Sequence, residues 1–422
     1  MGIVDLVLIC VFPLVYVWIC YNLPILAAGV RNLVKSKKLE EQHVAGHRGL
    51  PSVSVIVPVK NEEKVVGRFL EAVLKVAYPV DKLEIIVVED GSADCSVQVC
   101  ERFASAHENV KVLHRSFSNG KPSALNYALR HADGEIVAIF DADSVPESDA
   151  LLKAMRYFED GSVAAVQGRT LSINSRENML TQFLCYEEAV WCEAFLRGKD
   201  SLGLFVHLRG TCQFIRRSVL EQVEGFDEGF LADDMEMSAR LTESDYEIRY
   251  ASDVRSWQES PASLKTFFVQ RTRWFRGTME VAFKYGRLMS KLSRKRLDAE
   301  ATLLGPFVII ASLLSYLTAS GAFFLTFPFD ALWRGLLAFS VFTTTLTLFV
   351  CGIALIFMSQ PKRFRNLLWL PFVFGYWCLQ SFVALYAGLL ILFRRPRRWV
   401  KTVKSGAVAN PEFVREGLRV DD

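Results

Sequence analysis

The stretch VAIFDADS, residues 137–144, is an apolar run that stops at two aspartates one residue apart. Residues i and i+2 of an extended segment face the same way, so Asp141 and Asp143 present their carboxylates to one place. Like charges that close repel unless something positive sits between them. A hard divalent cation suits such a pair, because Mg²⁺ or Mn²⁺ takes few protein carboxylates and completes its shell with water and phosphate oxygens. Lengthened to EIVAIF (135–140), the run is apolar at every position after Glu135, the mark of a strand buried on both faces.

Moving outward, the same grammar repeats. VSVIVPV (53–59), LEIIVVED (83–90) and VKVLHR (110–115) read as strands, separated by helical spacing over 61–75, 93–103 and 123–131. In the first helix Val65, Val66, Phe69, Leu70 and Val73 share one side. Such alternation predicts an α/β domain with a Rossmann-type, mostly parallel sheet, whose ligands bind beyond the carboxyl ends of the strands. Those ends carry Lys60, Asn61 and Glu62, then Glu89 and Asp90, then Asp141 and Asp143. A single loop-tip carboxylate is usually just solvated; three such loops on one edge describe a site. No GxxxxGK[ST] loop occurs, which excludes a P-loop nucleotide site, and the histidines show no metal-ligand spacing.

Composition adds a membrane. Of 422 residues, 51% are hydrophobic, and they cluster: residues 3–30 hold one charge, Asp5, and 302–327, 335–358 and 367–393 hold none. Each block reaches the roughly 20 apolar residues that cross a bilayer core. The first lacks the charged leader of a cleaved signal and is too long for one, so it reads as a retained anchor. Arg31, Lys35, Lys37 and Lys38 follow it, which by the positive-inside rule keeps the next domain cytosolic in an integral plasma-membrane protein. Nine cysteines without a CxxC pair suit a reducing compartment, and a net charge of +3 gives no case for nucleic acid. The expected layout is an N-terminal transmembrane segment at 1–30, a basic linker at 31–50, a catalytic domain at 51–260, amphipathic interfacial helices at 261–300, a transmembrane region at 301–393 and a basic cytosolic tail at 394–422.

In series, VPVKNEE, VVEDGSAD, GKPSALNYAL, FDAD, ADDME and QRTRW resemble the family 2 glycosyltransferases, especially the membrane-embedded branch that includes cellulose, hyaluronan and poly-N-acetylglucosamine synthases. The resemblance runs from about Pro51 to Gly277 and implies a GT-A-like fold. Position by position it implies a nucleotide pocket of Pro58, Asn61, Glu62, Glu89, Asp90, Lys121, Asn126 and Asp141, with Asp143 as the direct metal ligand. Glu89 stands where the family commonly has Asp. LADDMEMSARL resembles the family's TED-type motif, which makes Asp234 the base that takes the acceptor proton and puts Asp233 where Glu is usual; Asp233 also suits a helix cap. Gly210 and Thr211 would border the acceptor, although a tight turn explains them nearly as well. QRTRW supplies Gln270, Arg273 and Trp274, with the indole against the acceptor sugar and the guanidinium near the diphosphate.

The residues around QRTRW support an interfacial helix on their own. Leu264, Phe267, Phe268, Arg271, Trp274, Phe275, Met279 and Phe283 recur at helical spacing, with Lys265, Arg273, Arg276, Lys284 and Arg287 supplying charge, as suits a membrane surface. RRPRRWVKTVKSG (394–406) resembles a WxxTxxxG-like tail that folds over the nucleotide in some relatives; a basic cluster at the headgroups is the equal alternative. Three full spans after a cytosolic domain would leave that tail outside, in conflict with both the charge rule and the resemblance. The resemblance implies inverting, metal-dependent transfer from UDP-glucose or UDP-N-acetylglucosamine to a growing glycan, by a processive synthase coupled to translocation. A lipid acceptor such as a ceramide or diacylglycerol, receiving one sugar, is the alternative. A non-catalytic scaffold predicts missing carboxylates, and none of Asp90, Asp141, Asp143 and Asp234 is missing.

Overall fold

The computed structural model describes residues 3–40, 49–286, 293–324, 331–358, 364–397, 402 and 404–406, so Arg287, Trp399 and residues 407–422 lie outside it. Eight strands form one sheet: β1 (Val53–Val59), β2 (Leu83–Asp90), β3 (Val110–Arg115), β4 (Ile136–Ile139), β5 (Val145–Pro146), β6 (Val163–Ser172), β7 (Gln213–Arg216) and β8 (Glu247–Gln258). Their order across the sheet is β3-β2-β1-β4-β7-β6-β8-β5. The helices are α1 (Ile3–Glu40), α2 (Val66–Leu74), α3 (Ser96–Ala106), α4 (Lys121–Leu129), α5 (Ala150–Tyr157), α6 (Met179–Glu188), α7 (Arg197–Ser201), α8 (Arg217–Gln222), α9 (Asp233–Glu243), α10 (Leu264–Tyr285), α11 (Arg294–Leu303), α12 (Gly305–Phe324), α13 (Ala331–Met358) and α14 (Leu370–Leu392). A π-helical stretch, Ala189–Leu196, joins α6 to α7.

β1 pairs in parallel with β2 and β4, and β2 with β3, as the alternating pattern predicts. Val55, Ile56 and Val57 are wholly buried because helices cover both faces of the sheet. Val55 and Val57 join Phe69, Leu70 and Phe140 on one side, while Ile56 joins Ile86, Leu125 and Met237 on the other. Each such side chain contributes about 1.5–3 kcal/mol of burial. The far half is mixed: β7 runs antiparallel to both β4 and β6, and β6 runs parallel to β8. The domain is a mixed sheet of Rossmann type, as the alternating pattern of its first half predicts.

Helix α1 does not end where a linker was expected, since residues 31–40 continue it; 41–48 lie outside the described residues. It seats directly on the catalytic domain. A Cβ on Gly29 would fall 1.7 Å from the Ala194 carbonyl oxygen, and one on Gly198 2.0 Å from that of Ile25, so only glycine permits this seam. Among the described residues two segments are long and apolar enough to cross a membrane, Pro13–Leu33 and Phe364–Leu392. Arg294–Leu303 and Gly305–Leu314 meet at 50° and make a third if that bent pair is one span.

Helix α10 starts at Ser263, whose side chain accepts the Thr266 N–H, and runs alongside α14. Ring pairs Phe267–Tyr376 and Phe268–Tyr386, at 5.5 Å and 5.2 Å, mark the contact. Of the basic residues that suited this helix to a membrane surface, Arg276 turns inward. That side chain is buried and donates to the carbonyls of Arg395 (2.6 Å) and Pro396 (3.1 Å), tying down the segment that follows α14.

Candidate active site

At the carboxyl ends of β1, β2 and β4 the chain opens into a cavity of about 660 Å³. Pro58, Glu62, Asp90, Lys121, Asp141, Asp143, Gly210, Thr211, Asp233, Asp234, Gln270, Arg273 and Trp274 all line it. Three expected residues do not. Glu89 sits one position before Asp90 on β2, so the pleat turns it to the other face, where it accepts the Ser92 N–H. Asn61 holds positive φ (53°) and ties the first two loops together, its Oδ1 accepting the Ala93 N–H at 2.7 Å. Asn126, expected at the nucleotide, turns instead to the loop before α9: it donates to the Phe226 carbonyl and accepts the Phe226 N–H, both at 2.8 Å.

The remaining groups form two charge layers. Asp90 is buried, paired to Arg115 at 3.1 Å, and accepts the Ser118 hydroxyl. Lys121, the first residue of α4, places Nζ 2.6 Å from Asp141 Oδ1 and 2.7 Å from the Gly210 carbonyl. Burial works against the Lys121 charge, yet Asp141, Asp233 and Asp234 outweigh it and raise its pKa. Gly210 has φ +77°, and a Cβ there would stand 3.3 Å from both Asp234 Oδ2 and Lys121 Nζ. Any larger residue would crowd the base. Thr211, the next residue, is buried and accepts the Asp141 N–H at 3.0 Å, fixing the carboxylate turn after β4.

Asp233 and Asp234 open helix α9, with Ala232 at the cap position, so Asp233 is not the cap that its type allowed. Burial raises both carboxyl pKa values, and for Asp234 the neighbouring Asp233 adds to it, giving about 6. Arg273, on α10, acts on Asp233, Asp141 and Asp234 together. A carboxylate poised near neutrality beside two cations is what proton abstraction from a hydroxyl needs.

Asp143 is engaged by a part of the chain that strand-end reasoning does not reach. Lys404 Nζ lies 2.6 Å from Asp143 Oδ2 and donates to the Glu259 carbonyl at 2.8 Å. Ser405 and Gly406 bind the Glu259 carboxylate through their backbone N–H groups, and the buried Arg68 stands 3.9 Å from it. Of the two readings of the tail, its described residues follow the one that folds over the site; Arg397 pairs with Glu280 at 3.0 Å and donates to the Gly229 carbonyl. A second unforeseen group supports Trp274. The buried Arg271 guanidinium lies 4.4 Å over the indole and pairs with Glu187, which also accepts from Tyr376 (2.7 Å) and Gln380 (3.1 Å). Arg271 was visible in the α10 spacing, but nothing local to Glu187 announced its partner.

Among the described residues no group of three or more His, Cys, Asp or Glu is placed to hold a metal. Asp141 and Asp143 alone, each answered by an ammonium, still fit Mg²⁺ or Mn²⁺, which draws its other oxygens from diphosphate and water.

A half-parallel sheet whose strand ends meet a carboxylate cavity, with a buried acid pair on the facing helix, defines a glycosyltransferase of the GT-A type. The chain belongs to the family described as "Glycosyltransferase like family 2", whose model matches residues 51–277. It is 32% identical over 246 residues to a beta-monoglucosyldiacylglycerol synthase of Trichormus variabilis, covering 57% of this chain but only 52% of that protein, so it spans about half of that relative. It is 25% identical over 353 residues to a poly-beta-1,6-N-acetyl-D-glucosamine synthase of Staphylococcus epidermidis, covering 81% and 84%. The mannosyltransferase PcManGT from Pyrobaculum calidifontis, solved with GDP-Man and Mn²⁺, superposes with a TM-score of 0.61 at 21% identity over 93% of this chain and 100% of that one, a likeness of fold.

Proposed function

We propose that the chain transfers a sugar, with inversion, from a UDP-sugar to a hydroxyl acceptor that reaches Asp234 from the membrane side. The observation that carries this is the single cavity in which Asp90, the Asp141–Asp143 pair and Asp234 stand together with the QRTRW side chains. Asp90 and Glu62 would receive the base and ribose. Asp143, with Asp141 beside it, would hold Mg²⁺ or Mn²⁺, which supplies positive charge to the leaving diphosphate. Lys121 and Arg273 add fixed cations to the same end. Asp234 takes the acceptor proton, and its raised pKa keeps it basic enough to do so while still ionised at neutral pH. Trp274, held by Arg271, offers a flat face to a sugar or headgroup.

Relatives on both sides of the acceptor question exist, one named for a diacylglycerol product and one for a polymer. UDP-glucose and UDP-N-acetylglucosamine are the donors to try first. The membrane reading rests on α1 and α14 and on the tail: a chain that returns to the catalytic face at Lys404–Gly406 crosses an even number of times between that domain and the tail. Two spans after the domain, α14 and the bent pair Arg294–Leu314 taken as one, would meet that condition, and the basic residues after α1 then favour the cytosol for domain and tail alike.

The test is a radiolabelled UDP-sugar panel on membranes carrying the protein, with Mg²⁺ or Mn²⁺, products sized and Asp234→Asn as control. A product that disappears in the variant supports the assignment. No transfer or hydrolysis of any donor at any metal concentration would end it.

A further inference from the structure

The cavity does not stop at Asp234. It continues to α1, the π-helical stretch, α12, α13 and α14, where Leu23, Leu26, Phe195, Ile309, Cys351 and Trp377 line it. Three polar residues on the same lining have no part in the chemistry above: Glu188, His207 and Arg209. His207 is 6% exposed, and its Nδ1 has no hydrogen-bond partner; Glu188 Oε2 is likewise buried and unpaired. Leaving a buried polar atom unmatched costs about 1–3 kcal/mol. Two such atoms on one cavity wall mark a place where a ligand supplies what the protein does not.

The chemistry of that ligand follows from the groups. Burial, with Lys199 and Arg209 adding to it, pushes the His207 pKa down to about 3, so the ring is neutral and has one donor and one acceptor nitrogen. Burial pushes Glu188 up to about 7 against the pull of Arg209. Arg209 donates Nη1–H to Thr170 at 2.9 Å. A set able to donate and accept suits hydroxyls. Carboxyls and guanidiniums alternate here, since Glu187 pairs with Arg271 while Glu188 faces Arg209 and Arg169. A phosphate head would meet the Glu187 and Glu188 carboxyls as well as the guanidiniums, whereas a hydroxyl can donate to the one kind and accept from the other. The apolar stretch of lining beyond, between helices of spanning character, calls for hydrocarbon.

We propose that Glu188, His207 and Arg209 hold the uncharged, hydroxyl-bearing head of an amphiphilic acceptor whose chains lie against α1, α12 and α14, with its reacting hydroxyl at Asp234. This deepens the transferase reading and rests on it.

The experiment uses the full chain in phosphatidylcholine nanodiscs with the donor found active in the panel. Dioleoylglycerol serves as the neutral hydroxyl lipid and a chito- or cello-oligosaccharide as the soluble alternative. The expected result is label in the organic phase only when dioleoylglycerol is present. His207→Phe and Glu188→Leu should each raise the apparent KM for the lipid about tenfold, one lost hydrogen bond, with the donor KM unmoved. His207→Gln, which keeps a donor and an acceptor, should recover most of the affinity and guards against misfolding. Unchanged lipid KM in both folded variants overturns the subsite. Label entering the oligosaccharide and not the lipid overturns the acceptor class while leaving the transferase intact. Absence of any donor consumption sinks both readings together.

Discussion

The two ends of the cavity are built by different rules. At the strand-end side, Asp90 closes β2 and Asp141 and Asp143 follow β4 directly, so their position is set by sheet register, and Val55 opposite Ile85 and Ala138 aligns those ends. At the membrane side, the lining comes from Leu23 on α1, Phe195 on the π-helical stretch, Ile309 on α12 and Trp377 on α14. These are far apart in sequence and meet only through packing. Local geometry can fix a place for diphosphate and metal, whereas the acceptor's place depends on the fold as a whole. The strand-end layer should therefore respond to substitution in rate or donor affinity, and the other layer in acceptor affinity.

The hardest test of that division is Asp234→Asn, expected to lower transfer about 10²–10⁴-fold with donor binding retained by isothermal titration. A variant with undiminished transfer would move the base elsewhere and merge the two layers. Next in size, Glu187→Gln should release Arg271 from its pair and loosen Trp274. The expected outcome is a rise of about tenfold in acceptor KM with kcat nearly kept, read from initial rates at saturating donor. A fall in kcat alone would place Trp274 in the chemical step instead. Lys404→Ala removes the ammonium on Asp143; donor KM should rise several-fold, up to about tenfold, and acceptor KM should not move. If acceptor KM moves too, the tail serves both layers.

The smallest effect is one of pH. Because Asp234 must be ionised to act, kcat/KM should fall as pH drops through about 6. Asp233 raises the Asp234 pKa, so Asp233→Asn should lower it and carry the acid limb to lower pH by less than a unit or so. A limb that stays put would mean burial alone sets it.

Legibility in the sequence divides along the same line. The strands of the first half and the carboxylates at their ends were readable because runs such as VSVIVPV and EIVAIF state both element and burial. The antiparallel insertion of β7 was not, since QFIR is only 4 residues long and carries no period that reveals direction. Glu89 was misplaced for a simple reason: a motif aligns letters, while a strand alternates faces. Asn126 spent its amide on the Phe226 backbone, a contact 100 residues away that no spacing encodes. Glu188 and His207 gave no signal at all, because a pair of acids and a single histidine in largely apolar company carry no spacing that marks a site until the cavity is seen. Lys404 lay inside a basic run whose charge alone pointed equally well to lipid headgroups.

The glycine seam between α1 and the catalytic domain bears on how this protein can be made and handled. With Gly29 against Ala194 and Gly198 against Ile25, the first helix is a wall of the domain rather than a leash on it. Stripping it off to obtain a water-soluble enzyme would bare the π-helical stretch and open the cavity from behind. Exchanging it for a foreign helix would lose that wall. During synthesis the helix emerges well before its docking partners, so the seam closes only once residues near 194–198 fold against it.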